Sequence, residues 1–213
     1  VMGVFATVSV ATEEMAPFKK LEDLNIPVVF FDRVPEEKGF YTVCLPDALA
    51  ATIAAEAIIE KKKKNLLALF GHPHLSISKV RCQALVDTFK EQSPDTKITI
   101  HYPEQSAPSK EIALNALTSS EPPDVIFCMG DLILIGVMKA IHELNLKVPD
   151  DVAVIGISNG FIPTMYNPVI TYVETSGYKL GKLSFSQMLG RLKGEDISEN
   201  VCVESMLVKG GSL

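Results

Sequence analysis

The chain has 213 residues, 47% of them hydrophobic and 22% charged, with a net charge of −6 at neutral pH. That length suits one large or two small globular domains, and the acidic surplus argues against a nucleic-acid-binding surface in the segment itself, since such surfaces are basic. No apolar run approaches the roughly 18–20 residues of a membrane span, so no membrane partner is expected. Cys44, Cys82, Cys128 and Cys202 are scattered through or beside apolar segments without a CxxC pair. They are expected to be reduced core thiols, neither disulfides nor metal ligands, in a cytoplasmic protein.

In chain order, Gly3 to Val10 is apolar and β-prone, and a helix is expected over Glu13–Leu24, where Met15, Phe18, Leu21 and Leu24 form an apolar stripe. Ile26 to Phe31 is a second strand, closed by Asp32 and Arg33, and Tyr41 to Leu45 is a third. Asp47 can cap the helix Ala48–Lys61, and Lys61 to Lys64 end that helix with cations that suit its dipole. The chain enters a core-like strand at once from Val1, so it is expected to be a fragment of a longer protein.

From Asn65 a regular alternation begins. Strands are expected at Asn65–Phe70, Lys97–His101, Asp124–Met129 and Val152–Ile155. Helices are expected from Ser76 or Ser78 to Gln92, over Ser109–Leu117 and over Leu132–Leu144, the last capped by Asp131. Such alternation is the signature of a doubly wound parallel sheet. Past Asn159 the rhythm breaks into a loop (Gly160–Pro168), a β-rich stretch (Val169–Val173), a helix (Ser176–Leu192) and a last strand (Glu199–Leu207). The predicted fold is α/β and two-lobed, with the first lobe only partly present.

Catalytic signals are poor. There is no GxSxG, HExxH, P-loop or GxGxxG between strand and helix, so neither an enzyme nor a cofactor is expected. His72 and His74 flank Pro73 without a Cys, Asp or Glu at ligand spacing, which reads as a turn. Binding signals are better. In open α/β sheets ligands lie beyond the carboxyl ends of the strands, and Asp32, Arg33, Asp131, Ser158 and Asn159 all follow strands. Arg81 sits in the early turns of the helix after Asn65–Gly71, within reach of the same rim. Carboxylates, amides and a guanidinium around a crevice suit a ligand with several hydroxyls. Each residue also has a plainer role: helix cap for Asp131, ion pairs for Arg33 and Arg81, turn chemistry for Ser158 and Asn159. The clustering favours binding.

At these residues the chain resembles the effector-binding core of the lactose-repressor and galactose-repressor family of bacterial transcription regulators. IPVVFFDRV (Ile26–Val34) is similar to the family's strand ending in an acidic residue and an arginine, and NLLALFGHPHLSISKVRCQAL (Asn65–Leu85) to its strand, loop and helix with a sugar-contacting Arg, here Arg81. MGDLILIGVMKAIHELNLKVPDDVAVIGISN (Met129–Asn159) resembles the run N-D-x-x-A-x-G … G-x-x-V-P-x-D-x-x-V-x-G-[FY]-[DS]-[DN], and NPVITYVETSGYKLGKLSFSQML (Asn167–Leu189) the segment after it. Gly130 stands where the family usually has Asn, and Ser158 where Asp is commoner.

The resemblance implies a periplasmic-binding-protein-like fold with an effector, often a sugar, held between lobes. It implies contacts at Asp32, Arg81, Asp131 and Ser158, with Phe31 and Asn159 beside them. It also implies a homodimer that meets operator DNA through an N-terminal helix-turn-helix absent from this chain. The expected division is 1–62 in the first lobe, 63–158 in the second, 159–194 returning to the first, and 195–213 as the final strand of the second and the tail. A periplasmic sugar-binding protein of a transport system shares the fold and is the alternative; an α/β enzyme stands third.

Overall fold

The computed structural model describes residues 1–9 and 11–213. Among them the elements run β1 (Val4–Ala6), α1 (Ala16–Asp23), β2 (Val28–Phe31), β3 (Tyr41–Cys44), α2 (Asp47–Glu60), β4 (Asn65–Leu69), α3 (Ser76–Gln92), β5 (Lys97–His101) and α4 (Ser106–Leu117). They continue as β6 (Val125–Cys128), α5 (Asp131–Glu143), β7 (Ala153–Ser158), a 3₁₀ turn at Pro163–Met165, β8 (Thr171–Glu174), α6 (Gly177–Lys193), β9 (Asn200–Cys202) and β10 (Leu207–Val208). The chain divides into two compact units, Val1–Pro46 with Ser176–Glu204, and Asp47–Thr175 with Ser205–Leu213.

The first unit holds a parallel sheet in the order β1-β2-β3-β9. Side chains alternate across β2, as a strand requires: Val29 and Phe31 join Leu180 and Met188 of α6, while Val28 and Phe30 join Phe18 and Leu21 of α1. Helix α1 starts at Ala16, later than Glu13, with Pro17 in its first turn, where a missing N–H leaves no bond unmade. β1 is shorter than the expected Gly3–Val10, and Val10 lies outside the described residues. Helix α6 ends on Gly194, whose φ of +70° is the left-handed conformation that glycine adopts without strain. The Glu22 carboxylate clamps this unit by accepting from Arg191 at 2.6 and 2.7 Å and from the Val28 N–H at 2.9 Å. Arg191 also lies 4.1 Å over the Tyr41 ring.

The second unit holds a sheet in the order β10-β8-β7-β6-β4-β5, parallel except for β10. Its central strands are buried on both faces, which is why they read as unbroken apolar runs. Leu66, Ala68, Val125, Phe127, Ala153 and Ile155 pack under α2 and α3; Leu67, Leu69, Ile126, Cys128 and Val154 pack under α4 and α5. β5, at the edge, alternates exposed Lys97, Thr99 and His101 with Ile98 and Ile100.

Three expectations change. The first boundary falls after Pro46, not residue 62, because α2 presents Ala50, Ala51, Ala54 and Ala55 to the second unit's core and packs on α3. The expected strand Glu199–Leu207 is two strands: β9 extends the first unit's sheet and β10 the second's. The first portion therefore has a sheet of its own, completed by residues from near the far end of the chain. Cys44 and Cys202, expected to be reduced, are joined as a disulfide, since the register of β3 with β9 sets them side by side with Cα atoms 4.7 Å apart. Cys82 and Cys128 are free thiols, as expected.

Candidate functional site

In the second unit the register of β4, β6 and β7 brings Leu69, Cys128 and Gly156 level, so the residues that follow them share one carboxyl rim. Gly130 occupies the cap position of α5 in extended backbone, and Asp131 is the first helical residue, not the cap expected of it. A carboxylate in the first turn is favoured by the helix dipole. The Ser158 hydroxyl lies near enough to favour the charged form of the Asp131 carboxyl. Its Oδ1 is buried without a partner. Burial pushes the carboxyl above the ordinary carboxylate value, and the nearby Ser158 hydroxyl offsets only part of that. Ser158 is 3% exposed, and its Oγ also accepts from the Gly160 N–H at 3.0 Å.

Arg81 lies close by in a different role. It is 4% exposed, its Nε donates to Asp47 Oδ1 at 2.8 Å, its Nη2 lies 2.7 Å from the same oxygen, and its Nη1 donates to the Met129 carbonyl at 3.0 Å. The guanidinium thus braces α3 to α2 and to the turn that aims Asp131. Asn159 closes its own turn by accepting from the Phe161 N–H at 3.0 Å. Phe31 and Asp32 stand at the carboxyl end of β2 in the first unit; Phe31 packs into that unit's core and Asp32, at φ 63°, lies 3.9 Å from Arg33. The structure therefore sets Asp131 and Ser158 near each other, places Arg81 behind them, and leaves Phe31 and Asp32 with the other unit.

Sequence reasoning missed Ser78 as a rim residue. In the first turn of α3, it is fully buried and its Oγ has no partner. A Cβ on Gly71 would sit 3.2 Å from that Oγ and 3.0 Å from Met129 Cε, so the glycine lets both side chains approach the backbone closely. Gly130 has nothing within 4 Å of where its Cβ would be. Buried polar atoms are bonded as a rule. Ser78 and Asp131, on the helices that follow neighbouring strands β4 and β6, are two of four such side-chain exceptions among the described residues; the others, Gln187 and Ser205, lie on α6 and just before β10. Hollows of about 420 Å³ beside Lys97, His101 and Asn115, and about 440 Å³ beside His142 and Tyr166, lie away from this rim. A hollow shows room; a buried oxygen without a partner shows what chemistry is wanted, so the rim is the better candidate. Among the described residues no group of three or more His, Cys, Asp or Glu is placed to hold a metal, and no helix is long and apolar enough to cross a membrane.

Residues 55–213 match the model of a periplasmic binding protein-like domain. The chain is 25% identical over 205 residues to the transcriptional repressor PurR of Vibrio atlanticus, covering 93% of this chain and 60% of that protein. It is 24% identical over 184 residues to the ribose operon repressor of Halalkalibacterium halodurans, covering 86% and 55%. It spans, then, little more than half the length of these relatives, which are named as repressors and not as enzymes. A ribose-bound regulator of the LacI family from Enterococcus faecium superposes with a TM-score of 0.86 at 18% identity, over 100% of this chain and 79% of that one. With three quarters of its length inside the family model, this chain belongs to the periplasmic binding protein-like domains, the effector-domain fold that its likeness to the lactose-repressor family implied.

Proposed function

We propose that the chain is the ligand-sensing domain of a DNA-binding transcriptional regulator, and that it binds a small neutral polyol, a sugar, at the carboxyl rim of the second sheet. The observation that carries the ligand class is the pair of buried oxygens without partners, Asp131 Oδ1 and Ser78 Oγ, on one rim. A carboxylate oxygen accepts and a hydroxyl both donates and accepts, which suits adjacent sugar hydroxyls. The guanidinium beside them, Arg81, is already held by Asp47 and Met129, which favours a neutral effector over an anionic one. The regulatory reading rests on the relatives, and the transport-protein alternative has no such support among them. In the parent protein we place operator contact in a helix-turn-helix outside these residues, and dimer formation on the flank of the second unit that exposes Leu132, Phe161 and Met165. The cytoplasm is the compartment such a regulator requires.

A thermal-shift screen of pentoses, hexoses, disaccharides and nucleobases tests this, since a ligand of the native state raises the melting temperature by mass action. A sugar is expected to score. Its affinity should fall at least about tenfold in Ser78→Ala and in Asp131→Asn, the loss of one hydrogen bond to a charged or buried group. A hit limited to nucleobases or to anions, or a sugar hit unmoved by both changes, overturns the assignment.

A further inference from the structure

The Cys44–Cys202 pair lies outside the rim and does nothing for effector binding. The chain passes from one unit to the other after Pro46, after Thr175 and after Glu204. Cys44 stands two residues before the first passage and Cys202 two residues before the third. The disulfide therefore joins two of the three connecting segments to each other, just before they leave the first unit. Apart from it, β9 is a three-residue strand with β3 as its one neighbour among the described residues, secured by ladder bonds, by Thr42 Oγ1 donating to Asn200 at 2.7 Å, by the Val203 N–H donating to the Cys44 carbonyl at 3.0 Å, and by Val201 and Val203, which pack with Val43, Leu180 and Met188. So short a strand at a sheet edge is marginal by itself.

Access and chemistry both suit a reversible bond. Cys202 is exposed while Cys44 is half-buried, so an external thiolate reaches the Cys202 sulfur first. Cys44 Sγ lies 3.7 Å from the Val201 carbonyl, an acceptor already in place for the thiol that reduction would release. Neither cysteine belongs to the apolar layers of the second unit, where Cys128 is sealed and burial pushes its thiol far above the ordinary range.

We propose that Cys44 and Cys202 form a reversible thiol–disulfide modification site for low-molecular-weight thiols and disulfides, and that reduction releases β9 and the connecting segment behind it from β3. In reduction a thiolate attacks Cys202 Sγ, the Cys44–Cys202 bond breaks, and Cys44 leaves as a thiolate that takes up a proton. A second thiolate then attacks the sulfur of the small molecule in the mixed disulfide, freeing Cys202 and yielding the oxidised small-molecule disulfide. Two thiols supply the two electrons that the protein disulfide takes up, and oxidation by a small disulfide runs the same steps in reverse.

The test equilibrates the 213-residue chain with glutathione disulfide or with excess glutathione, followed by denaturing alkylation, peptide mapping and hydrogen exchange. Two free thiols, Cys82 and Cys128, are expected in the oxidised sample, with Cys44 linked to Cys202, and four in the reduced one. Amide exchange over residues 199–206 should rise at least about tenfold on reduction, while β4, β6 and β7 stay protected, as a local opening requires. Cys202→Ser and Cys44→Ser should each exchange like the reduced protein in either buffer. Linkage through Cys82, absence of any linkage, a bond that survives excess glutathione, or identical exchange in the two states overturns the proposal.

Discussion

At the scale of single residues, Arg81 and Asp131 show the same rim put to opposite uses. Arg81 is a buried cation with its charge answered; removing it takes the cation from Asp47, whose side chain is only 17% exposed. Arg81→Ala is therefore expected to lower stability in urea unfolding by about 3–5 kcal/mol, whereas Arg81→Met combined with Asp47→Leu should recover most of that loss. A loss confined to sugar affinity, with stability unchanged, would return Arg81 to the role of contact. Asp131 is a half-buried acid whose charge is only partly answered. Its carboxyl is raised in the folded protein by burial, so the folded state holds the proton more tightly than the unfolded chain and stability declines as pH rises from the ordinary carboxylate value to the raised one. Melting curves of the wild type and Asp131→Asn between mildly acidic and neutral pH should show the wild type losing ground as pH rises. A constant gap would mean that Asp131 carries no folded-state penalty. Glu22 has the opposite sign: burial raises its carboxyl, but bonds from Arg191 and the Val28 N–H outweigh that and hold it below the ordinary range. Its contribution is present above the ordinary carboxylate value and fades in acid, so melting curves across that range should show Glu22→Gln costing most at neutral pH and little once Glu22 itself is protonated.

At the scale of elements, close packing between α4 and α5 depends on one missing side chain. A Cβ on Gly136 would strike the Ser106 carbonyl oxygen and sit 2.6 Å from Ser109 Cβ. Both obstacles belong to the first turn of a neighbouring helix and neither is the loose end of a flexible side chain. Gly136→Ala is expected to cost about 1–3 kcal/mol in chemical denaturation despite alanine's better helix propensity, because overpacking outweighs the roughly 1 kcal/mol gained in the backbone. A stabilised variant would show that the helices part without strain. Elements of this kind were legible where the pattern is local. The apolar runs Asn65–Leu69, Val125–Cys128 and Ala153–Ser158 and the stripe of α5 follow directly from residue order. What was not legible depends on partners far apart in sequence. Glu199–Leu207 reads as one β-prone stretch, and only pairing with β3 on one side and β8 on the other splits it. Cys44 and Cys202 are 158 residues apart, and Asp47 reads as a cap until α3 brings Arg81 against it. Ser78 gave no signal, since a serine in the first turn of a helix is ordinary until its burial is known.

At the scale of the whole molecule, the flank of the second unit after β7 exposes several large apolar side chains. Ile162 and Tyr166 turn inward and pack on the layer formed with α5, while Phe161 and Met165, on alternate sides of the same segment, are 64% and 61% exposed. Leu132, in the first turn of α5, is 52% exposed. Such side chains contribute about 1.5–3 kcal/mol each when fully buried. In an isologous dimer every contact occurs twice, so two such residues per protomer, about three-fifths exposed beforehand, would contribute about 4 kcal/mol or more to association. Phe161→Glu with Met165→Glu removes that contribution and sets like charges against each other across the two-fold axis. Sedimentation at micromolar concentration is expected to find a dimer for the wild type and a monomer for the double variant, with the dissociation constant raised at least about a hundredfold. The melting temperature of the double variant should fall only by the mass-action stabilisation that dimerisation supplies, because neither side chain packs into the core. A monomeric wild type, or a double variant that remains dimeric, would move the interface off this flank.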